Sequence, residues 1–145
     1  MKVKDCMCTN VNSVKQDTSV KDCAKLMCDC HVGCAPVCDD NDNLVGIITD
    51  RDILLRTVAC NKDICNTKVS EVMTKNPCYC ECDCNVEEAE KLMQENQIRR
   101  IPVVQNDKVI GIITLGDLAK NQNVDDQEVC DTVYCICKHS NKNAQ

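Results

Sequence analysis

Apolar positions along this chain follow a helical period, then a strand period, and the whole order runs through twice. Val20, Cys23, Ala24 and Met27 fall on one helical face, as do Val86, Ala89, Leu92 and Met93 further on. Each stretch opens on a polar residue with an acid three positions later, Ser19-x-x-Asp22 and Asn85-x-x-Glu88, the pattern of a helix start. A short extended segment precedes each one, at 11–14 and 77–82. Two Val- and Ile-rich runs follow, at 35–38 with 44–49 and at 100–104 with 109–114, around the polar turns 39–43 and 105–108. Such pairs of runs predict hairpins. A second helix starts at Asp50-Arg51-Asp52, and its counterpart at Leu115-Gly116-Asp117. The predicted unit is β-α-β-β-α, twice, an α+β chain.

The repetition extends to identities. Val45-Gly46-Ile47-Ile48-Thr49-Asp50-Arg51-Asp52 returns as Ile110-Gly111-Ile112-Ile113-Thr114-Leu115-Gly116-Asp117, and Met7 matches Met73, as Pro36-Val37 matches Pro102-Val103. A long period seen only twice predicts two small subdomains rather than a solenoid. We read residues 1–60 as the first repeat, 61–68 as a polar linker, 69–121 as the second repeat and 122–145 as a carboxy-terminal extension. Within that extension, 129–137 is expected to add a helix or strand, and 139–145 to be a tail.

Composition narrows the picture. The 145 residues hold no Phe or Trp and only two Tyr, so the core is expected to be aliphatic. A net charge of −6 argues against non-specific binding to nucleic acid or an anionic membrane. The chain has no stretch that reads as a bilayer span or a leader, and a cytoplasmic location is expected. Sixteen cysteines would suggest disulfides in a secreted protein, but that setting favours reduced thiols.

A tandem β-α-β-β-α unit whose second hairpin strand ends in Gly-Ile-Ile-Thr-x-x-Asp resembles a pair of cystathionine β-synthase (CBS) domains, the Bateman module. Val72-Met73-Thr74 and Ile101-Pro102-Val103 fit the same pattern, and the resemblance covers roughly residues 1 to 121. It implies two repeats packed about a pseudo-twofold axis. It implies a non-catalytic sensory module, with no required cofactor, for an adenosine-containing ligand such as AMP, ADP, ATP or S-adenosylmethionine. Homodimerisation and a regulated protein partner in trans are further implications.

By that resemblance, Thr49 and Thr114 face phosphate or ribose, Asp52 and Asp117 face ribose hydroxyls, and Ala35 and Ile101 line adenine pockets in clefts between the repeats. Arg51, Arg99 and Arg100 are the expected phosphate contacts, because a guanidinium offers paired donors to phosphate oxygens. Thr-x-x-Asp is also a capping box, and a residue can serve both purposes.

The cysteines suggest a different class, a thiolate metal-binding or redox-responsive protein on the same scaffold. Cys78, Cys80, Cys82 and Cys84 would share one face of an extended strand, although structural zinc usually takes wider spacings. Several cysteines instead stand where the other repeat has a small apolar residue: Cys6 against Val72, Cys23 against Ala89, Cys38 against Val104 and Cys80 against Val14. Packing is the milder account of those. Cys28, Cys30, Cys34 and Cys84 do not fit it. A ligand-free interaction subunit is the third reading. Asp39-x-Asn41-x-Asn43 is read as a polar turn, since Leu44 stands where a calcium loop needs Gly. His31 and His139 have no triad partners.

Overall fold

The computed structural model describes residues 1–140 and has mixed α and β content in two compact units. The units do not follow the repeats end to end. One comprises Val11–Pro77 with Asp107–Val109; the other comprises Met1–Asn10, Cys78–Asn106 and the chain from Ile110 on.

In the Val11–Pro77 unit, β1 (Val14–Lys15) runs parallel to β2 (Cys34–Cys38). β2 pairs antiparallel with β3 (Leu44–Thr49), and β3 with β4 (Thr74–Lys75). Helix α1 (Val20–Cys30) buries Val20, Cys23 and Met27, three residues of the predicted face. Its start is capped by Ser19, whose hydroxyl accepts the Asp22 N–H at 3.1 Å. Its end turns on His31 at φ 55°, and the Val32 N–H returns to the Met27 carbonyl at 3.0 Å. That is a Schellman ending made without glycine. Helix α2 (Asp50–Ile53) follows β3 and passes into a π-helical turn over Leu54–Val58, and α3 (Val69–Val72) leads into β4.

The second unit repeats the plan. β5 (Cys80–Glu81) runs parallel to β6 (Arg100–Gln105), which neighbours β7 (Lys108–Thr114) in a three-stranded sheet. Asn106 and Asp107 turn the hairpin with φ 52° and 64°, the left-handed pair that a two-residue loop requires. Helix α4 (Val86–Asn96) ends on Gln97 at φ 56°, as α1 ends on His31. Where β4 lines β3, this unit uses the amino terminus: Cys8 and Ile112 exchange two backbone hydrogen bonds, of 2.9 and 3.0 Å. Helix α5 (Leu115–Lys120) leads to α6 (Asp126–Ser140).

Both cores are aliphatic. Ile48, Val37 and Met27 anchor one; Met93, Ile101, Ile113 and Leu118 anchor the other. β2 is buried along its whole length, which explains its run of apolar residues without alternation.

Three expectations change. The extended stretch over 78–84 is only two residues of strand, because the chain turns after Glu81, so four thiols do not line one strand face. Cys34 is buried, although the arginine at the matching position had suggested otherwise. The extension is helical through Ser140, and the rest of the expected tail, 141–145, lies outside the described residues. No helix among the described residues is long and apolar enough to cross a membrane.

Candidate functional site

The two Thr-x-x-Asp segments occupy the same kind of place, where a central strand gives way to a helix. The Asp52 N–H donates to the Thr49 hydroxyl at 3.1 Å, and the Thr49 N–H donates to Asp52 Oδ2 at 3.0 Å. In the other unit the corresponding distances are 3.2 and 2.9 Å, and the Thr114 hydroxyl adds a 2.6 Å bond to Asp117 Oδ2. Both are complete capping boxes, and all four residues remain partly exposed. The box satisfies helix-start donors and fixes the side chains at one orientation.

The strand behind each junction is held by a close approach. A Cβ on Gly111 would meet Met7 Sδ at 2.5 Å and the Cys8 carbonyl at 3.1 Å; a Cβ on Gly46 would collide with Met73 Sδ and reach the Thr74 carbonyl at 3.0 Å. The repeated Met and the repeated Gly are therefore one contact, made once in each unit. A second shared bond joins each junction to its hairpin: the Asp50 N–H donates to the Gly33 carbonyl and the Leu115 N–H to the Arg99 carbonyl, both at 3.0 Å.

The arginines are distributed unequally. Arg51 is exposed beside Asp50, whose carboxylate accepts the Arg51 N–H at 2.8 Å. Arg99 is exposed and lines a cavity of about 300 Å³ with Leu115 and with Val133, Ile136 and Cys137 of α6. Arg100 opens β6, half-buried. Ala35 and Ile101 are fully buried in their cores and present no surface.

One residue was missed. Arg56 reaches Asp52 Oδ1 at 3.5 Å and donates to the Val72 carbonyl at 2.9 Å, so the first junction has a guanidinium against its acid. The i,i+4 spacing of Asp52 and Arg56 is the signal that would have found it. The second junction has Asn121 at that spacing.

The thiols divide by burial. Cys23, Cys34, Cys38, Cys80 and Cys82 are buried, and Cys8, Cys28, Cys30, Cys60, Cys65, Cys130 and Cys137 are exposed. Burial pushes the Cys23 thiol up to about 11. Among the described residues, no three His, Cys, Asp or Glu side chains come together as a metal cage would require.

The CBS domain family matches this sequence at residues 3–58 and again at 69–123. The chain belongs to that family. A CBS domain-containing protein of Bacillus subtilis, YhcV, is 42% identical over 120 residues, covering 83% of this chain and 84% of its own. Among solved structures, CBSX2 in complex with AMP is 35% identical with a TM-score of 0.69, over 80% of this chain and 91% of that one. Hypoxic Response Protein I, with two coordinated zinc ions, is 29% identical with a TM-score of 0.78, over 83% and 98%. In this CBS pair each of the two matched stretches contains one Thr-capped junction, Thr49 with Asp52 and Thr114 with Asp117.

Proposed function

We propose that this CBS pair is a non-catalytic regulatory module of the cytoplasm that binds an adenosine-containing ligand, AMP in the first instance, at its Thr-x-x-Asp junctions. The observation that carries this reading is the duplication of one rigid junction, Thr49 with Asp52 and Thr114 with Asp117. The likeness to an AMP-bound CBS protein supports the ligand class. The carboxylates of Asp52 and Asp117 suit ribose hydroxyls, and Arg51, Arg99, Arg100 and Arg56 are the guanidiniums available for phosphate. Ligand acts by favouring one arrangement of the module over another, in itself or in a partner bound in trans. A homodimer through the exposed Leu54, Leu55 and Val58 completes the proposal. S-adenosylmethionine is the competing ligand, and zinc has the weaker claim because no three ligands meet among the described residues.

Native mass spectrometry with AMP, ATP and S-adenosylmethionine tests the reading and reports the oligomeric state. Binding of AMP that is lost in Asp52→Ala, Asp117→Ala protein with an unchanged fold by circular dichroism is the expected result. Binding of none of the three, or binding indifferent to both substitutions, overturns it.

A further inference from the structure

The adenosine reading treats the two Thr-x-x-Asp junctions alike, yet their carboxylates are not equally open. Each aspartate commits one oxygen to its capping box. Asp52 Oδ2 accepts the Thr49 N–H, and Asp117 Oδ2 accepts both the N–H and the hydroxyl of Thr114. The oxygen left for a ribose hydroxyl is Oδ1, and there the junctions differ.

At the first junction Oδ1 is covered. The Arg56 guanidinium stands 3.5 Å from Asp52 Oδ1, held in place by the bond it donates to the Val72 carbonyl at 2.9 Å. The Asp52 side chain is left 15% exposed. The backbone explains this placement. α2 runs on without a break into the π-helical turn Leu54–Val58, which keeps position 56 on the face of position 52.

At the second junction Oδ1 is open. Among the described residues, no hydrogen bond or ion pair engages Asp117 Oδ1. α5 stops at Lys120, and Asn121, at the position that matches Arg56, is already extended with φ −87° and ψ 115°. Its side chain is engaged elsewhere: Oδ1 accepts the Asn123 N–H at 3.0 Å, and Nδ2 donates to Met1 Sδ at 3.6 Å. A carboxylate oxygen with both lone pairs free can accept more than one hydroxyl.

We propose that Arg56 sets the two junctions apart, so that Asp117 takes the ribose of the ligand first and Asp52 takes one only when its contact with Arg56 is given up. This inference rests on the adenosine reading and deepens it. The ligand class at the second junction is a nucleoside or nucleotide with both ribose hydroxyls intact. A hydrogen bond to a charged acceptor contributes enough that forfeiting one at Asp52 lowers affinity there by about tenfold. The module then answers to ligand in two steps.

Titration calorimetry of the full chain with AMP tests this. Wild-type protein is expected to bind one equivalent per chain tightly and a second about tenfold more weakly. Asp117→Asn removes the tight step and leaves the weak one. Arg56→Met strengthens the weak step severalfold and leaves the tight step unchanged, the opposite of what loss of a merely structural arginine would do. That variant, at an exposed position, carries the test by itself if Asp117→Asn unfolds. An AMP analogue lacking both ribose hydroxyls binds without the tight step. Two equal steps, a tight step that survives Asp117→Asn in folded protein, or a weak step unmoved by Arg56→Met overturns the ranking of the junctions and leaves the adenosine reading standing. No AMP bound by any of these proteins overturns both.

Discussion

Met7 lies against Gly111 so closely that a β-carbon on the glycine would stand 2.5 Å from the methionine sulfur. Gly111→Ala is expected to destabilise the protein by about 1–3 kcal/mol, the usual cost of overpacking. The Met7 side chain can yield, whereas the Cys8 carbonyl 3.1 Å away belongs to a paired backbone. Met7→Ala should therefore rescue only part of the loss. Urea unfolding of the two single variants and the double variant measures this coupling; simple additivity would mean the contact is not the cause.

The capping geometry predicts a separate cost at Thr114. Its hydroxyl accepts the Asp117 N–H and donates to the Asp117 carboxylate, so Thr114→Ala is expected to lose about 1 kcal/mol. Thr114→Ser keeps the hydroxyl and most of that stability. A Thr114→Ala protein as stable as the parent in urea would show the box to be redundant for folding.

Much of this was readable in the residue order, and the reasons are local. Ser19, Asn85, Thr49 and Thr114 announce helix starts because a cap acts within three residues. The paired hairpins show because Val and Ile cluster on both sides of polar turns. Chain elements that act at long range were not readable. Nothing near Cys8 says that it pairs with Ile112, and nothing near Thr74 says that it lines Ile47. The alternation of Cys78 to Cys84 suggested one long strand, but the turn after Glu81 decides otherwise. Ala35 and Ile101, which the resemblance places at adenine pockets, are fully buried, and depth of that kind is set by the packing of distant elements rather than by neighbouring residues. Arg56 was legible in principle, because it stands four residues after Asp52 on the same helical face.

Glu90 predicts an unusual pH profile. This carboxyl on α4 is 4% exposed, and its Oε1 lacks a hydrogen-bond partner among the described residues. Burial raises its pKa above the ordinary 4.5, and the charges of Glu128 on α6 and Glu87 on α4 raise it further. The folded state thus holds the proton more tightly than the unfolded chain. Its contribution to stability is full below about pH 4.5 and is lost as pH rises through the folded-state value. Glu90→Gln should flatten that slope and gain on the order of 1 kcal/mol at neutral pH. Thermal unfolding of both proteins from pH 4 to 8 checks it; parallel curves would refute the assignment.

Thiol reactivity should follow depth. Cys23 is fully buried on the inner face of α1, with its pKa pushed up to about 11, while Cys28 and Cys30 lie exposed at the end of the same helix. Brief alkylation of the folded protein at pH 7.5 should label Cys28 and Cys30 and leave Cys23 unmodified until denaturant is added. Peptide mass mapping reads this directly, and equal labelling would mean that α1 opens readily.

The order in which the chain is made bears on how it folds. Val11–Pro77 is nearly a complete unit by itself, lacking only Asp107–Val109, whereas its companion needs both Met1–Asn10 and residues beyond Ile110. On the ribosome the first unit can begin to condense while the second half is still being synthesised. Residues 1–10 are made before Val11–Pro77 and must wait, with Val3 and Met7 uncovered, for β7 and α5 to arrive. A chaperone that engages apolar segments of nascent chains would find one here, and it would lose that segment only once β7 and α5 have been made.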